Sequence, residues 1–274
     1  MGTSNSIAEQ HRQPSERSVV RVFKQIPAPG LRPFIDCFMI VEFPSPERDV
    51  HMPEPSSVAA FSFRGECRID GGHRVPPAVF TGPRETLRAH DHRDGHAVLL
   101  AKFTPAGAAA FLRPPLDEFA GTTSDLTEIL GRPEEFMQLR EQLIEAQNHV
   151  SRVRLLEAFL LARIRLSEPD PLIAASIAWL EQAQTTRRIN DLAEYIGLSQ
   201  SALERRFRRV VGLSPKRFSS LVRLQRAVRL RQAGADLASV AGAAGYFDQS
   251  HFINDFRRAI GSAPNAFLRQ PTVR

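Results

Sequence analysis

The sequence predicts an α+β protein: a mainly antiparallel β-domain that ends in helices, then an all-helical domain with two helix-turn-helix units joined by a long helix. Three observations support this prediction. Short β-branched and aromatic runs, separated by Pro and Gly turns, fill residues 21–103. After Thr104 the apolar spacing changes to that of helices. The segment Phe207–Pro215 returns as Phe256–Pro264 with its Phe, Arg pair, Gly and Pro unchanged, which marks an internal repeat.

The β-domain is predicted to span residues 19–166, after a disordered leader at residues 1–18. Its many short strands, spaced by turns, indicate an antiparallel sheet, a sandwich or a barrel. The predicted strands are Arg21–Ile26, Phe34–Phe43, Val58–Phe63, Cys67–Asp70, Ala78–Thr81, Thr86–Arg88 and Ala97–Phe103. The predicted turns are Pro44–Pro46, Gly65-Glu66, Gly71-Gly72 and Asp94-Gly95.

Helices are predicted to close this domain. They cover Ala106–Leu112, Leu126–Leu130 behind a cap within Thr123-Ser124-Asp125, Pro133–Ala146 and Val150–Leu166. In the last of them, one side is apolar and carries Val153, Leu156, Leu160 and Ile164. Such a stripe could form a dimer seam, although packing on the helix's own domain is the more common use. Residues 167–171, with two prolines, are predicted to be a linker.

The region 172–274 is nearly all helical by period. Its predicted helices are Leu172–Ala183, Ile189–Ile196, Gln200–Val211, Lys216–Gln232, Leu237–Ala243 and Asp248–Ile260, with a closing turn at Ala266–Gln270. Residues 170–274 hold 16 Lys and Arg against 8 Asp and Glu, whereas residues 1–169 hold 20 against 22. The positive charge is thus confined to the C-terminal third, which favours a polyanion as its partner.

The first repeat unit has what a helix-turn-helix requires. Ala193 is small where the helices cross, Gly197 tolerates positive φ in the turn, and Leu203 with Phe207 anchors the second helix inward. This leaves Ser201, Glu204, Arg205 and Arg208 facing outward. Arg can bond guanine bidentately in the major groove of DNA.

The second unit repeats this design with Ala241, Gly245, Phe252 and Phe256. Its outward side chains differ, being Gln249, Ser250, Asn254, Arg257 and Arg258, and Gln and Asn can read adenine bidentately. Two such units on one chain could enter two successive major grooves of double-stranded DNA. Further phosphate-facing candidates are Arg187, Arg188, Lys216, Arg223 and Arg226.

These motifs closely resemble the DNA-binding domain of AraC/XylS-type transcription regulators. The resemblance covers the C-terminal ~100 residues and rests on these segments: Ile189-x-x-Leu192-Ala193-x-x-x-Gly197-x-Ser199, Leu203-x-Arg205-x-Phe207, Gly212-x-Ser214-Pro215, Gly245-Tyr246, Gln249-Ser250-His251-Phe252, Phe256-Arg257 and Pro264-x-x-Phe267. It implies a bacterial regulator that usually activates transcription, with RNA polymerase as a partner. By position it maps base reading onto Ser201, Glu204, Arg205, Gln249, Ser250 and Asn254. Members often carry Arg where Asn254 stands here.

Residues ~20–165 resemble an uncharacterised N-terminal domain found on some such regulators, through Pro27–Leu31, Phe80-x-Gly82-Pro83 and Lys102–Ala108. In the wider family this domain senses a small-molecule effector or dimerises, so the resemblance leaves an effector and a homodimer open. It implies no cofactor.

Three histidines within seven residues, His90, His92 and His96, raise the alternative of a metal site. The segment is polar and contains Gly95, so we predict a hairpin turn with solvated histidines. Cys37 and Cys67 form no metal spacing and fit a reducing cytoplasm as buried thiols. The sequence shows no apolar run of membrane-spanning length and no convincing catalytic constellation, so an enzyme is not predicted.

Two other functions stay open. One is a metal-binding or enzymatic β-domain that uses the C-terminal domain to localise to DNA. The other is an architectural protein that binds DNA without a preferred site, for which salt would be the main determinant of affinity.

Overall fold

The computed structural model describes residues 19–69, 71–182 and 188–267. The predicted leader at residues 1–18, the candidate Arg187 and part of the predicted closing turn lie outside them. The described chain has the predicted α+β architecture, with strands before residue 126 and helices after it. No described helix combines the length and the apolar character that crossing a membrane requires.

One antiparallel sheet contains six strands in the order β1-β2-β9-β4-β7-β10. Their bounds are β1 Arg21–Gln25, β2 Ile35–Phe43, β4 Val58–Arg64, β7 Ala78–Thr81, β9 His96–Phe103 and β10 Thr123–Asp125. One face of this sheet is apolar because Phe38, Phe61 and Leu99 are each at most 4% exposed. Five of these six strands match runs predicted as strands from hydrophobicity, and the sixth, β10, was not predicted.

A second sheet of four short strands has the order β3-β8-β5-β6. It comprises β3 Glu47–His51, β5 Cys67–Ile69, β6 His73–Arg74 and β8 Arg88–His92. The prediction of a strand at Thr86–Arg88 and of a turn through the histidines is wrong, because β8 runs from Arg88 through His90 to His92. Only the segment from Arg93 to Gly95 makes the turn. Strands β3, β6 and β8 are polar, so hydrophobic alternation does not reveal them, whereas β5 matches the predicted strand Cys67–Asp70.

Three helices pack on the first sheet: α1 Leu126–Leu130, α2 Pro133–Glu145 and α3 His149–Leu161. Asp125 caps α1 as predicted, by accepting a hydrogen bond from Thr127 N at 2.7 Å. On α3, Val153, Leu156 and Leu160 belong to the core of their own domain and are at most 6% exposed. The dimer-seam alternative for this stripe is therefore wrong. The helix ends five residues before the predicted Leu166.

The predicted helix Ala106–Leu112 is only a 3-10 turn, Gly107–Ala110. Gly107 lies so close to the backbone of Phe34 that a Cβ at this position would stand 1.8 Å from the Phe34 carbonyl oxygen. The glycine is therefore required by close chain approach. Both cysteines, Cys37 and Cys67, are buried free thiols, as predicted.

The C-terminal helices match the predicted ones closely. They are α4 Pro171–Gln182, α5 Ile189–Ile196, α6 Gln200–Val211, α7 Pro215–Gln232, α8 Leu237–Ala244, α9 Gln249–Ile260 and α10 Pro264–Phe267. Two apolar cores hold them. One surrounds Leu203, Phe207 and Phe218, and the other surrounds Phe252 and Phe256.

The helical part packs directly on the β-domain, and it does so through its first unit and α7. A Cβ at Gly212, which follows α6, would meet the Leu116 carbonyl oxygen and the Pro83 ring at 2.9 Å each. Arg217 at the start of α7 pairs with Glu85 at 2.7 Å. Further along α7, Gln225 donates a hydrogen bond to the Pro53 carbonyl at 3.2 Å. We call the contacts of Arg217 with Glu85 and of Gln225 with Pro53 the α7 brace.

Candidate nucleic-acid interface

The two repeat units share one backbone design. Helices α5 and α8 end at Gly197 and Gly245, which take positive φ values of 74° and 86°. The next amide bonds back to the helix in the same way, from Leu198 to the Ala193 carbonyl at 3.0 Å and from Tyr246 to the Ala241 carbonyl at 2.9 Å. These hydrogen bonds satisfy carbonyls that the helix ends leave free, so the turn direction is defined in both units.

The second helix of each unit begins at a side-chain cap. Ser199 accepts from Ala202 N at 3.3 Å, and Asp248 accepts from His251 N at 2.7 Å. Both helices then bury one apolar face, because Leu203, Phe207, Phe252 and Phe256 are all 0% exposed. The anchors predicted from the repeat are confirmed. Their burial sets which side of α6 and α9 faces outward.

On α6, the outward face carries three of the predicted side chains in exposed positions: Ser201, Arg205 and Arg208. Glu204 is half-buried and accepts a hydrogen bond from Gln200 at 3.1 Å. A depression of about 310 Å³ beside this face is lined by Leu198, Ala202, Arg205, Arg206 and Arg209. Arg209 is exposed and was not among the sequence candidates, although its place in the repeated Arg pair could have identified it.

On α9, the exposed face carries every predicted side chain: Gln249, Ser250, Asn254, Arg257 and Arg258. Arg258 pairs with Asp255 at 3.1 Å, but its side chain remains 81% exposed. Phe247 in the turn before α9 is 92% exposed, which is unusual for Phe and is not predicted by any of the sequence patterns. The exposed faces of α6 and α9 therefore occupy equivalent positions in the two units but carry different side chains.

The other basic candidates divide into two groups. Arg188 and Lys216 are exposed. Arg223 and Arg226 are half-buried and contact the protein itself: Arg223 lies over the Tyr246 ring at 5.5 Å, and Arg226 donates to the Glu181 carbonyl at 2.7 Å. They would have to leave these contacts to reach a phosphate.

The three candidate histidines lie in the β-domain, far along the chain from these faces. His92 and His96 are 7% and 2% exposed, and their Nδ1 atoms are 2.9 Å apart. Burial, together with the nearby His51 and Arg84, lowers the pKa of His90 to about 2. Burial and Arg64 lower the pKa of His96 to about 4. The prediction that they are solvated is wrong, and His90 and His96 are neutral at neutral pH.

A cavity of about 590 Å³ opens between the first sheet and helices α1–α3. Aromatic rings form much of its wall, including Phe61, Phe103 and Phe159, and Arg113, Arg132, Arg163 and Arg165 also line it. Arg163 stacks on Phe159 at 3.5 Å and pairs with Glu135. The cavity combines an apolar body with a border of four arginines and Glu128, and Glu135 pairs with Arg132 as well as with Arg163.

Two helix-turn-helix units on one chain define the class of the C-terminal domain. Residues 192–270 match a family model described as "Helix-turn-helix domain", and residues 24–125 match a "Domain of unknown function (DUF6597)". The chain is 32% identical over 106 residues to a putative AraC-like transcription regulator of Streptomyces lividans, covering 38% of this chain and 35% of that protein. The C-terminal domain is an AraC-type DNA-binding domain.

Further relatives and solved structures are also similar to this chain. The transcriptional activator RhaS of Pectobacterium carotovorum is 31% identical over 101 residues, or 36% of each chain. The chain thus spans about a third of the length of these curated relatives. Among solved structures, ToxT from Vibrio cholerae aligns over 85% of this chain and 97% of its own, with 9% identity and a TM-score of 0.47. The DNA-binding domain of AdpA, solved with a target DNA, aligns over 37% and 98%, with 28% identity and a TM-score of 0.35.

Proposed function

We propose that this protein is a transcription regulator that binds a specific DNA sequence by placing α6 and α9 in two successive major grooves. The observation that carries the proposal is the pair of equivalent helices, each with one buried apolar face and one exposed face of polar and basic side chains. An α-helix fits the major groove, and successive grooves on one face of DNA are ~34 Å apart. The 18-residue α7 joining the units is ~27 Å long at ~1.5 Å per residue, which suits this spacing.

In this proposal the base readers are Ser201, Glu204 and Arg205 in the first unit, and Gln249, Ser250 and Asn254 in the second. The phosphate contacts come from Arg187, Arg188, Arg208, Arg209, Lys216, Arg257 and Arg258. Phosphate contacts set the register without reading sequence, so specificity rests on the first group. Because the two groups of readers differ, the half-site is expected to be asymmetric.

The β-domain acts as the regulatory part of this protein rather than as an enzyme, and RNA polymerase is the proposed partner at the promoter. A regulator that binds chromosomal DNA acts in the cytoplasm. A homodimer would need a surface other than the buried stripe of α3.

Selection of genomic fragments by the full-length protein tests the proposal. A short asymmetric sequence, enriched tenfold or more over the genomic background, is the expected result. An architectural protein would give uniform enrichment and an affinity that depends on salt alone. Uniform enrichment would therefore overturn specific readout.

Replacing Arg205 by Ala is expected to weaken binding to the selected site by ~1–3 kcal/mol, roughly 5- to 150-fold, and to relax the preference at one base pair. Titration of labelled site variants by fluorescence anisotropy measures both effects. Arg208→Ala should instead weaken all sites equally and reduce the salt slope by ~1.

Arg74→Ala is the charge-matched control for Arg205→Ala. Arg74 is 74% exposed and lies on β6 in the β-domain, where it only pairs with Glu66 at 3.4 Å. Its loss should leave DNA affinity unchanged within twofold. If Arg74→Ala and Arg205→Ala weaken binding equally, then Arg205 contributes only bulk charge.

We further propose that the 590 Å³ cavity binds the effector, an apolar molecule that carries an acidic group. The aromatic wall suits the apolar body, and the arginines at its border suit the acid. As a probe, 3-phenylpropanoate is expected to raise the melting temperature more than 3-phenylpropanol does. Arg113→Ala should abolish this difference, because Arg113 lines the cavity. Equal shifts from acid and alcohol would contradict the proposed charge recognition.

A further inference from the structure

Donor atoms from three side chains converge inside the second sheet. Asp49 and His51 lie on β3 and His92 lies on β8, and one ligand atom from each falls within 4.8 Å of the other two. The His51 Nε2 to Asp49 Oδ2 distance is 3.3 Å. Asp49 is paired with His90 and Glu47 with His92, so alternate residues of both strands point to this one face.

Two of these donors, Asp49 and His92, are withdrawn from water. Asp49 is 3% exposed, and the ring of His92 is stacked on Phe43 with a centroid distance of 3.6 Å. A buried carboxylate is costly unless a cation or hydrogen bonds compensate it. The strands therefore place a negative group beside imidazoles in a site that a metal cation would stabilise.

A second layer of contacts orients the imidazoles. His92 Nδ1 contacts His96 Nδ1 at 2.9 Å, and His96 Nε2 contacts the Ser62 hydroxyl at 3.1 Å. The contact with His96 engages Nδ1 of His92, so Nε2 is the ring nitrogen of His92 that would bind a metal. Histidines that bind metals commonly have their other ring nitrogen engaged in this way. His90 lies beside the set, with its ring centroid 4.5 Å from that of His51, and no described group hydrogen bonds to its buried Nδ1.

We propose that Asp49, His51 and His92 bind one divalent transition-metal ion, with His90 beside them as a candidate further ligand. Two imidazoles and one carboxylate are ligands that Zn²⁺ and Fe²⁺ share. Donors bound to one ion at ~2.1 Å lie ~3–4 Å apart, so closing the observed 4.8 Å span needs side-chain shifts of about 1 Å. The ion would join β3 to β8, and the site does not depend on the proposed function.

Arg84 provides the competing explanation. It is 8% exposed, and its positive charge reaches His90. A buried guanidinium can compensate Asp49 without a metal, in which case the cluster is a structural polar network. Metal content separates the two explanations, because only the first requires an ion.

The test uses the full-length protein without a histidine tag, loaded with Zn²⁺ and then dialysed. Elemental analysis is expected to find about one zinc per chain, and EDTA is expected to lower the melting temperature reversibly. His51→Ala, at a half-exposed position that tolerates truncation, and Asp49→Asn should each reduce bound zinc at least fivefold. The Co²⁺-loaded protein should show the visible absorption of coordinated cobalt, which those variants lose.

His73→Ala is the matched control, because His73 is an exposed histidine on β6 of the same sheet. It should retain the zinc. Less than about 0.2 zinc per wild-type chain, or equal zinc in wild type and His51→Ala, would overturn the proposal. Loss of zinc in His73→Ala as well would show that the metal is held by surface histidines only.

Discussion

Replacing Phe207 by Ala is expected to lower the free energy of unfolding by ~3–5 kcal/mol, a large share of the ~5–15 kcal/mol that stabilises a typical domain. Phe207 is fully buried and meets Phe218 edge to face at 5.6 Å. Truncation removes a whole ring and leaves a cavity between α6 and α7. Urea unfolding followed by the fluorescence of Trp179, which packs on the same core, measures the loss.

Phe247→Ala is the control of the same residue type. Its side chain is 92% exposed, so truncation should change stability by less than about 0.5 kcal/mol. If Phe207→Ala proved equally mild, the anchoring role of the repeated Phe would be refuted.

Gly212→Ala is expected to destabilise the protein by ~1–3 kcal/mol more than Gly261→Ala does. The two glycines occupy equivalent positions of the repeat and have similar positive φ values of 88° and 80°, so an added Cβ costs each ~1–2 kcal/mol in backbone strain. At Gly212 the Cβ would also meet the Leu116 carbonyl oxygen and the Pro83 ring, whereas no described atom lies within 4 Å of that position at Gly261.

The difference in free energy of unfolding between the two variants therefore measures how closely the first unit packs on the β-domain. Urea unfolding curves of both proteins, compared under one set of conditions, provide it. Equal destabilisation would mean that the contact of Gly212 with Leu116 and Pro83 is not maintained in solution.

The helices of both units could be predicted nearly to the residue because their ends carry local signals. Ser199 and Asp248 cap the helix starts, and Gly197, Gly212, Gly245 and Gly261 take positive φ at the ends. Such capping interactions join residues that are only a few positions apart, so they can be predicted from the local sequence alone. The outward faces followed because the buried Leu and Phe anchors leave only one side exposed.

Strands β3 and β8 of the second sheet could not be predicted for the opposite reason, although its strand β5 matches the predicted strand Cys67–Asp70. Strands β3 and β8 bury Asp49 and His92, so their pattern does not alternate between apolar and polar residues. Their pairing joins segments about 40 residues apart, and the compensation of their buried polar groups becomes visible only when the chain is folded. For the same reason, the sequence does not predict that Asp49 and His51 lie close to His92, because this depends on the pairing of β3 with β8.

The sequence could not decide whether the apolar stripe on α3 packs on its own domain or forms a dimer interface. An apolar helical face packs equally well on a sheet or on another subunit. The structure assigns it to the sheet, since Val153 and Leu156 are fully buried in the same core as Phe38.

The α7 brace has a consequence for promoter architecture. Helices α6 and α9 are both attached to α7, and Glu85 and Pro53 hold that helix at two points along its length. Movement of the loops that carry Pro53 and Glu85 would carry α6 and α9, the helices proposed to face DNA, as one body. A promoter with one base pair inserted between its two contact segments would rotate one of them by ~35° around the duplex axis, since DNA turns once in ~10.5 base pairs. Releasing the brace would not follow that rotation, because both helices would still move together with α7; only a change in how α6 or α9 packs on α7 could.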